Sequence, residues 1–366
     1  MIRVLQVVTH MNQGGLETML MNYYRSIDRE ILQFDFLTHR PYDGDYGDEI
    51  KNMGGKIYHL PTLNPFSRKY KKALCHFFRS HPEYTTVHVH QDCLSVVILK
   101  VAKECGVKVR IAHSHNANQD RNLKYLIKYY YMRMIPDYAT KLFACSKDAG
   151  KWMFRGAEFQ VLNNAIYSSK YTYCADIKRK IRDELEINQS DLVIGHVGRF
   201  SPQKNHSFLI DVFYQIKQKE PLARLLLVGN DSDENAVNIK EKVETYGLKD
   251  SVIFTGLRKD VYNMMQAMDV FVFPSIYEGF GIVALEAQAS GLPCLISDKV
   301  PIECKVIDKV QQIPLSDGVN IWAEIAIKAA KENVRCDTSA EIKAAGYDIE
   351  ENAKWLQNFY LSEKDQ

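Results

Sequence analysis

Two stretches of the chain hold residue types at spacings that could do chemistry. The first is Glu278-Gly279-Phe280-Gly281-Ile282-Val283-Ala284-Leu285-Glu286. It follows an apolar, strand-like run at 270–273. Phe280-Gly281 opens a helix that Gly291 ends, with Pro293 just beyond. Unpaired amides at a helix start, approached closely because glycine lacks a side chain, form an anion site. Glu278 and Glu286 bracket it. Carboxylates repel phosphate, so their natural partners are sugar and ribose hydroxyls. The plain alternative is a capped core helix with two incidental glutamates.

The second stretch is Gly195-His196-Val197-Gly198-Arg199-Phe200-Ser201-Pro202-Gln203-Lys204-Asn205. Arg199 and Lys204 stand in the turn between a strand and the next helix. Arginine offers a planar fork for paired phosphate oxygens, and lysine a compact charge. Together they could neutralise a diphosphate as its bond to a sugar breaks. A solvated Arg and Lys on a surface turn is the competing reading.

The elements that must position these residues recur along the whole chain. Strands are expected over 2–8, 33–37, 56–59, 86–89, 109–112, 141–144 and 160–162. Helices fit between several of them, over 16–26, 68–80, 94–105 and 123–134. Short apolar strands alternating with helices make a parallel sheet covered on both faces. After a polar stretch near 165–180 the pattern restarts, with a helix over 178–185 and strands over 193–197, 223–228, 252–255, 270–273 and 294–296. Residues 1–170 and 171–348 are therefore expected to be two α/β domains facing across a cleft. A terminal helix over 349–366 is expected to complete the first. Ligands of such sheets bind at the carboxyl ends of the strands.

At 366 residues the chain is long enough for two cores. No apolar run reaches the about 20 residues that cross a bilayer. The N-terminal apolar run is too short for a secretory leader. Eight scattered cysteines without a paired spacing suit a reducing cytoplasm. Residues 1–170 carry 24 Lys/Arg against 15 Asp/Glu, and residues 171–366 carry 23 against 30. A basic first half suits an anionic partner.

Taken together, these motifs resemble the family 4 retaining glycosyltransferases of the GT-B fold, with the flavour of bacterial exopolysaccharide and capsule enzymes. The carriers are Glu278…Glu286, the run through Arg199 and Lys204, Gly14-Gly15, Val228-Gly229, Phe254-Thr255-Gly256 and Gly291-Leu292-Pro293. The resemblance implies transfer of a sugar from a nucleoside diphosphate, commonly UDP, to a glycan or lipid-linked glycan, without a metal or other cofactor. It implies that Arg199 and Lys204 hold the diphosphate, Glu286 the ribose and Glu278 the transferred sugar. Backbone amides of Phe280, Gly281 and Ile282 would reach the phosphate or sugar. Gly256-Leu257 would border the base, and Gly14-Gly15 would close over the donor. It also implies a histidine near the reaction centre, either His113 or His115, with His115 preferred.

His88 and His90 are expected to line the cleft. Two His-x-His pairs on one sheet could hold a metal, but neither brings the further ligand a catalytic site would need. Asp43-Gly44-Asp45 and Asp231-Ser232-Asp233 look like metal-binding strings; helix capping explains the second more simply. The basic, aromatic stretches 65–79 and 124–133 suit either peripheral contact with an anionic membrane at the inner face of the cell or helices with one buried face. No nucleic-acid module matches. The rival functions are a nucleotide-sugar epimerase of the same fold and a non-catalytic nucleotide-sugar binder. A dehydrogenase fails because Gly-x-Gly-x-x-Gly is missing after the first strand.

Overall fold

A computed structural model describes residues 1–116 and 125–363. Two compact units emerge. One comprises Met1–Ile166 with Asp348–Gln366, and the other Tyr167–Tyr347. Each is a parallel sheet with helices on both faces, because β-branched and aromatic runs alternate with helix-length segments and every crossover is a helix or loop.

The first sheet contains β1 (Ile2–Val7), β2 (Leu32–Thr38), β3 (Ile57–His59), β4 (Thr86–Val89), β5 (Val109–Ser114), β6 (Lys141–Ala144) and β7 (Gln160–Val161), in the spatial order 3-2-1-4-5-6-7. The order reverses between β1 and β4, the kind of place where open α/β sheets bind ligands. Register there puts Gln6 beside His88 and His88 beside Ile111. Side chains two residues apart share a face, so Gln6, His88, His90 and His113 all point to the same side. The terminal helix Ile349–Glu363 covers that side together with the helix Gly15–Ser26, burying Ala353, Leu356 and Tyr360.

The second sheet contains β8 (Val193–Val197), β9 (Arg224–Val228), β10 (Val252–Phe254), β11 (Val270–Phe273), β12 (Cys294–Ser297) and β13 (Val310–Ile313), in the order 10-9-8-11-12-13. Its core joins Ile194, Leu225, Val270 and Leu295 to Phe213 and Trp322 from the covering helices. The last strand was missed by the hydropathy pattern, because Val-Gln-Gln-Ile buries only its two ends.

The helix expected over 123–134 is described over Tyr125–Tyr138 and so extends four residues further, with Pro136 accommodated in its last turn. Leu123, Lys124 and residues 364–366, all within expected helices, lie outside the described residues. Because Leu356 is buried, Leu356→Ala should destabilise the first unit by about 2–4 kcal/mol. Urea unfolding followed by a probe in that unit would show the loss.

Candidate functional site

In the second unit, the loops at the carboxyl ends of four strands are tied to one another by their backbones. Gly198 donates its N–H to the Val228 carbonyl at 2.9 Å, and Gly229 donates to the Gly256 carbonyl at 3.1 Å. A β-carbon on Gly229 would lie 2.1 Å from the Gly198 oxygen, so only glycine fits there. Gly256 itself sits in the left-handed region at φ 67°. The loop after β8 is tied in turn to the loop after β11. Ile276 donates its N–H to the Gln203 carbonyl at 2.8 Å, the Gln203 side chain donates to the Tyr277 carbonyl at 2.9 Å, and Asn205 donates to the Pro274 carbonyl at 3.2 Å. Gly281, at φ 95°, turns the chain into the helix Ile282–Ala289.

This framework brings Arg199, Lys204, Gly256, Leu257, Glu278, Phe280, Gly281, Ile282 and Glu286 to one end of one sheet. Arg199 is exposed, and among the described residues no hydrogen bond or ion pair holds its guanidinium. Lys204 Nζ lies 2.7 Å from Glu278 Oε1 and 4.6 Å from the centre of the Phe273 ring. The cation and carboxylate are therefore committed to each other until an anion competes for the lysine. The Phe280 side chain is buried against Tyr347, which leaves only its backbone for a ligand. Leu257 is half exposed.

Glu286 is buried within its helix. Burial pushes its carboxyl up to about 7, opposed in part by a hydrogen bond with the Tyr171 side chain. Tyr171, Phe273 and the buried pair His196 and His206 went unassigned in the sequence. His196 stands inside the Gly195–Asn205 motif, but nothing in its spacing gives it a role. It bonds the Val272 carbonyl at 2.8 Å, and burial holds it neutral, down to about 4.

The first unit holds Gly14, Gly15, His113 and His115. Gly14 precedes the helix Gly15–Ser26 in the loop after β1, and its carbonyl accepts from Thr18 at 2.8 Å. His113 is fully buried, whereas His115, just past β5, is half-buried, so His115 alone of the two reaches the surface of its unit. His88 and His90 do not line a surface as expected; both are buried. Their nitrogens are engaged: His88 with Tyr360 at 2.6 Å and His113 at 3.1 Å, His90 with His115 at 2.8 Å and Gln6 at 2.9 Å. Nitrogens of His88, His90 and His113 lie within 4.8 Å of one another, close enough to consider a metal. An ion there would have to break a hydrogen bond at both His88 and His90, whose ring nitrogens are all engaged.

The aspartate strings are also engaged by the protein. Asp43 pairs with Lys51 and with His59, and Asp45 accepts from the Gln13 amide. Asp233, not Asp231, caps the following helix, accepting from Ala236 at 2.9 Å, while Asp231 pairs with Lys240 at 2.7 Å. In the helix Arg68–Ser80 the aromatic side is core, with Tyr70, Phe77 and Phe78 buried. Arg68, Lys69, Lys71 and Lys72 are exposed beside an exposed Phe66. Further along, Tyr130 is exposed and Tyr129 lies under the Arg155 guanidinium.

The buried carboxyl has a consequence for stability. Below pH 4.5 Glu286 holds its proton in both folded and unfolded chains. As pH rises toward 7 only the unfolded chain ionises, so the folded state loses ground, by an amount on the order of 3 kcal/mol once pH exceeds 7. Glu286→Gln should remove that loss. Urea midpoints should then show the variant gaining on the parent at pH 8 but not at pH 4.5. A difference independent of pH would mean that folding does not change the carboxyl's affinity for its proton.

A family model described as glycosyl transferases group 1 matches residues 177–333. EpsF of Bacillus subtilis (strain 168), named as a glycosyltransferase, is 35% identical over 390 aligned residues, 99% of this chain and 98% of that protein. The Escherichia coli UDP-Gal:alpha-D-GlcNAc-diphosphoundecaprenol alpha-1,3-galactosyltransferase is 24% identical over 316 residues, 79% of this chain and 80% of that one. Among solved structures, Anabaena Alr3699/HepE in complex with UDP and glucose shares the fold with a TM-score of 0.82 at 17% identity, covering 99% of this chain and 100% of that one. The two Rossmann-like units are thus those of the GT-B fold, and a relative matched end to end places the protein in a family: the chain belongs to the glycosyl transferases group 1.

Proposed function

We propose that this glycosyltransferase moves a sugar from a UDP-sugar to a lipid-linked glycan during assembly of a bacterial surface polysaccharide, with retention of anomeric configuration and without a metal. One observation carries the reading. Backbone-tied loops present Arg199, Lys204, Glu278 and Glu286 around the start of the helix Ile282–Ala289, a set with both cations for a diphosphate and acceptors for hydroxyls. The choice of UDP is supported by the Anabaena structure, which holds UDP and glucose, and by the name of the Escherichia coli relative. That name also supports a diphosphoundecaprenol-linked acceptor.

In this reading the diphosphate draws Lys204 away from Glu278. The freed carboxylate then accepts from hydroxyls of the transferred sugar, while Glu286 accepts from the ribose. The bond between the anomeric carbon and the phosphate oxygen breaks, and its electron pair leaves with the diphosphate. Arg199, Lys204 and the helix start stabilise that charge. The acceptor oxygen bonds the anomeric carbon on the same face, and its proton passes to a phosphate oxygen of the leaving group. Glu278 and Glu286 are committed to hydroxyls, so no covalent sugar–enzyme intermediate is invoked. Gly14-Gly15 closes over the bound donor, and the backbone at Gly256-Leu257 borders its base. His115 bonds a sugar hydroxyl of the substrates, because its ring reaches the surface where that of His113 does not.

The protein acts in the cytoplasm at the inner face of the membrane, held there by the exposed cations of the helix Arg68–Ser80 and the neighbouring Phe66. Among the described residues no helix is long and apolar enough to cross a membrane.

Transfer from a panel of UDP-sugars to an undecaprenyl-diphosphate-linked acceptor tests the reaction. One donor should support turnover in EDTA, and Arg199→Ala and Lys204→Ala should each lower kcat/KM by about 100-fold or more. Turnover of donor without acceptor, with an epimerised product, would instead indicate an epimerase. For the membrane, the parent should sediment with anionic vesicles at low salt, and a Lys69→Glu/Lys71→Glu/Lys72→Glu variant should remain in the supernatant. Equal sedimentation of the two would remove the helix from the account.

A further inference from the structure

Behind His115 lies a buried chain of hydrogen bonds whose direction can be read. It begins at Gln6, in the middle of the first sheet. The Gln6 amide nitrogen donates to the Tyr360 hydroxyl at 3.3 Å, and its carbonyl oxygen accepts from His90 Nε2 at 2.9 Å. The Tyr360 hydroxyl lies 2.6 Å from His88 Nδ1, a length that suits a phenol O–H donating and is short for an imidazole N–H. The Tyr360 hydroxyl therefore donates to His88 Nδ1, which leaves its oxygen to accept from Gln6 and orients the amide.

Everything downstream follows from one proton per ring. Burial drives His88, His90 and His113 well below the ordinary imidazole range and His115 down to about 3, so all four are neutral at physiological pH. A neutral ring has one N–H and one lone pair. His88, accepting at Nδ1, donates from Nε2 to His113 Nδ1, and the His113 Nε2–H ends that branch without a partner. His90, donating from Nε2 to Gln6, has its lone pair on Nδ1. The 2.8 Å contact there can only be filled by an N–H from His115 Nε2. His115 Nδ1 is then left with its lone pair.

The backbone of His115 is held separately. Asp92, in the left-handed region at φ 44°, accepts from the Asn116 side chain at 2.8 Å and from the His115 amide. A non-glycine residue in that conformation costs about 1–3 kcal/mol, so the surrounding contacts must over-determine it.

We propose that Gln6 and His90 are positioning residues for His115, fixing it as the Nε2–H tautomer so that Nδ1 accepts a hydrogen bond from a substrate hydroxyl. Such a nitrogen is satisfied by a sugar hydroxyl and repels a sugar carboxylate, which favours neutral hexoses at that contact. The proposal rests on the reading above that His115 meets the sugar.

Long-range proton–nitrogen spectra of the intact protein, labelled with ¹⁵N-histidine, report which ring nitrogen carries the proton. The His115 signal is identified by its loss in His115→Gln. The expected result at pH 7 is an unprotonated Nδ1 in the parent. A mixture of tautomers is expected in His90→Phe, with kcat lowered about 10-fold and UDP affinity within twofold of the parent. Gln6→Glu supplies a carboxylate that accepts from both neighbours. It should keep the His115 tautomer and invert that of His113. A parent His115 protonated at Nδ1, or a tautomer indifferent to His90→Phe, would overturn the proposal. If His90→Phe does not fold, the parent and Gln6→Glu spectra decide it. Absence of transfer from every donor would count against the proposed function and leave the tautomer result standing.

Discussion

At Gly229 the chain passes so close to the Gly198 carbonyl that a β-carbon would lie 2.1 Å from its oxygen. The organisation of the second unit's ligand loops depends on that approach. It lets the turns after β8, β9 and β10 exchange backbone hydrogen bonds, and the β8 turn in turn holds the loop after β11. Loops at strand ends are ordinarily the least constrained part of a parallel sheet. Here they are fixed by backbone contacts, which position the segments that carry Lys204, Glu278 and the start of the helix Ile282–Ala289. Preorganised charge of this kind is worth more than the same charge on a mobile loop, because little has to be ordered when a diphosphate arrives.

The first unit solves a different problem. Four imidazoles, a glutamine and a tyrosine share the face of the sheet covered by the terminal helix. Buried polar groups are tolerated only when paired. Among its fully buried nitrogens this cluster leaves one unpartnered, His113 Nε2, and in the proposed tautomer His115 Nδ1 stays open for substrate. Tyr360 contributes both packing against Phe34 and the hydroxyl that orders the network. The helix that brings it is thus tied to the chemistry proposed for His115, although it lies 245 positions further along the chain.

Local signals were legible in the sequence. The alternation of strand and helix announced two parallel sheets, and the glycines of residues 278–291 marked where one helix starts and ends. What the sequence did not disclose depends on contacts between distant segments. The Lys204–Glu278 pair spans 74 positions, and its existence follows from sheet order rather than from either motif. His88 and His90 could be placed on one face by their spacing, but their closure into a network needed the register with Gln6. Asp231 was the expected cap, but the helix starts at Glu234 and so selects Asp233. Val310–Ile313 was silent because two glutamines occupy the middle of an edge strand.

The proposed mechanism requires a nucleoside-diphosphate site built from protein cations alone. Calorimetric titration of UDP into the intact protein tests it most directly, with EDTA in one run and magnesium in the other. Saturable binding is expected at one site per chain with the same affinity in both, weakened at least 10-fold, about 1.4 kcal/mol, in Arg199→Ala. Binding that appears only with the divalent ion, or that is indifferent to Arg199, would contradict it.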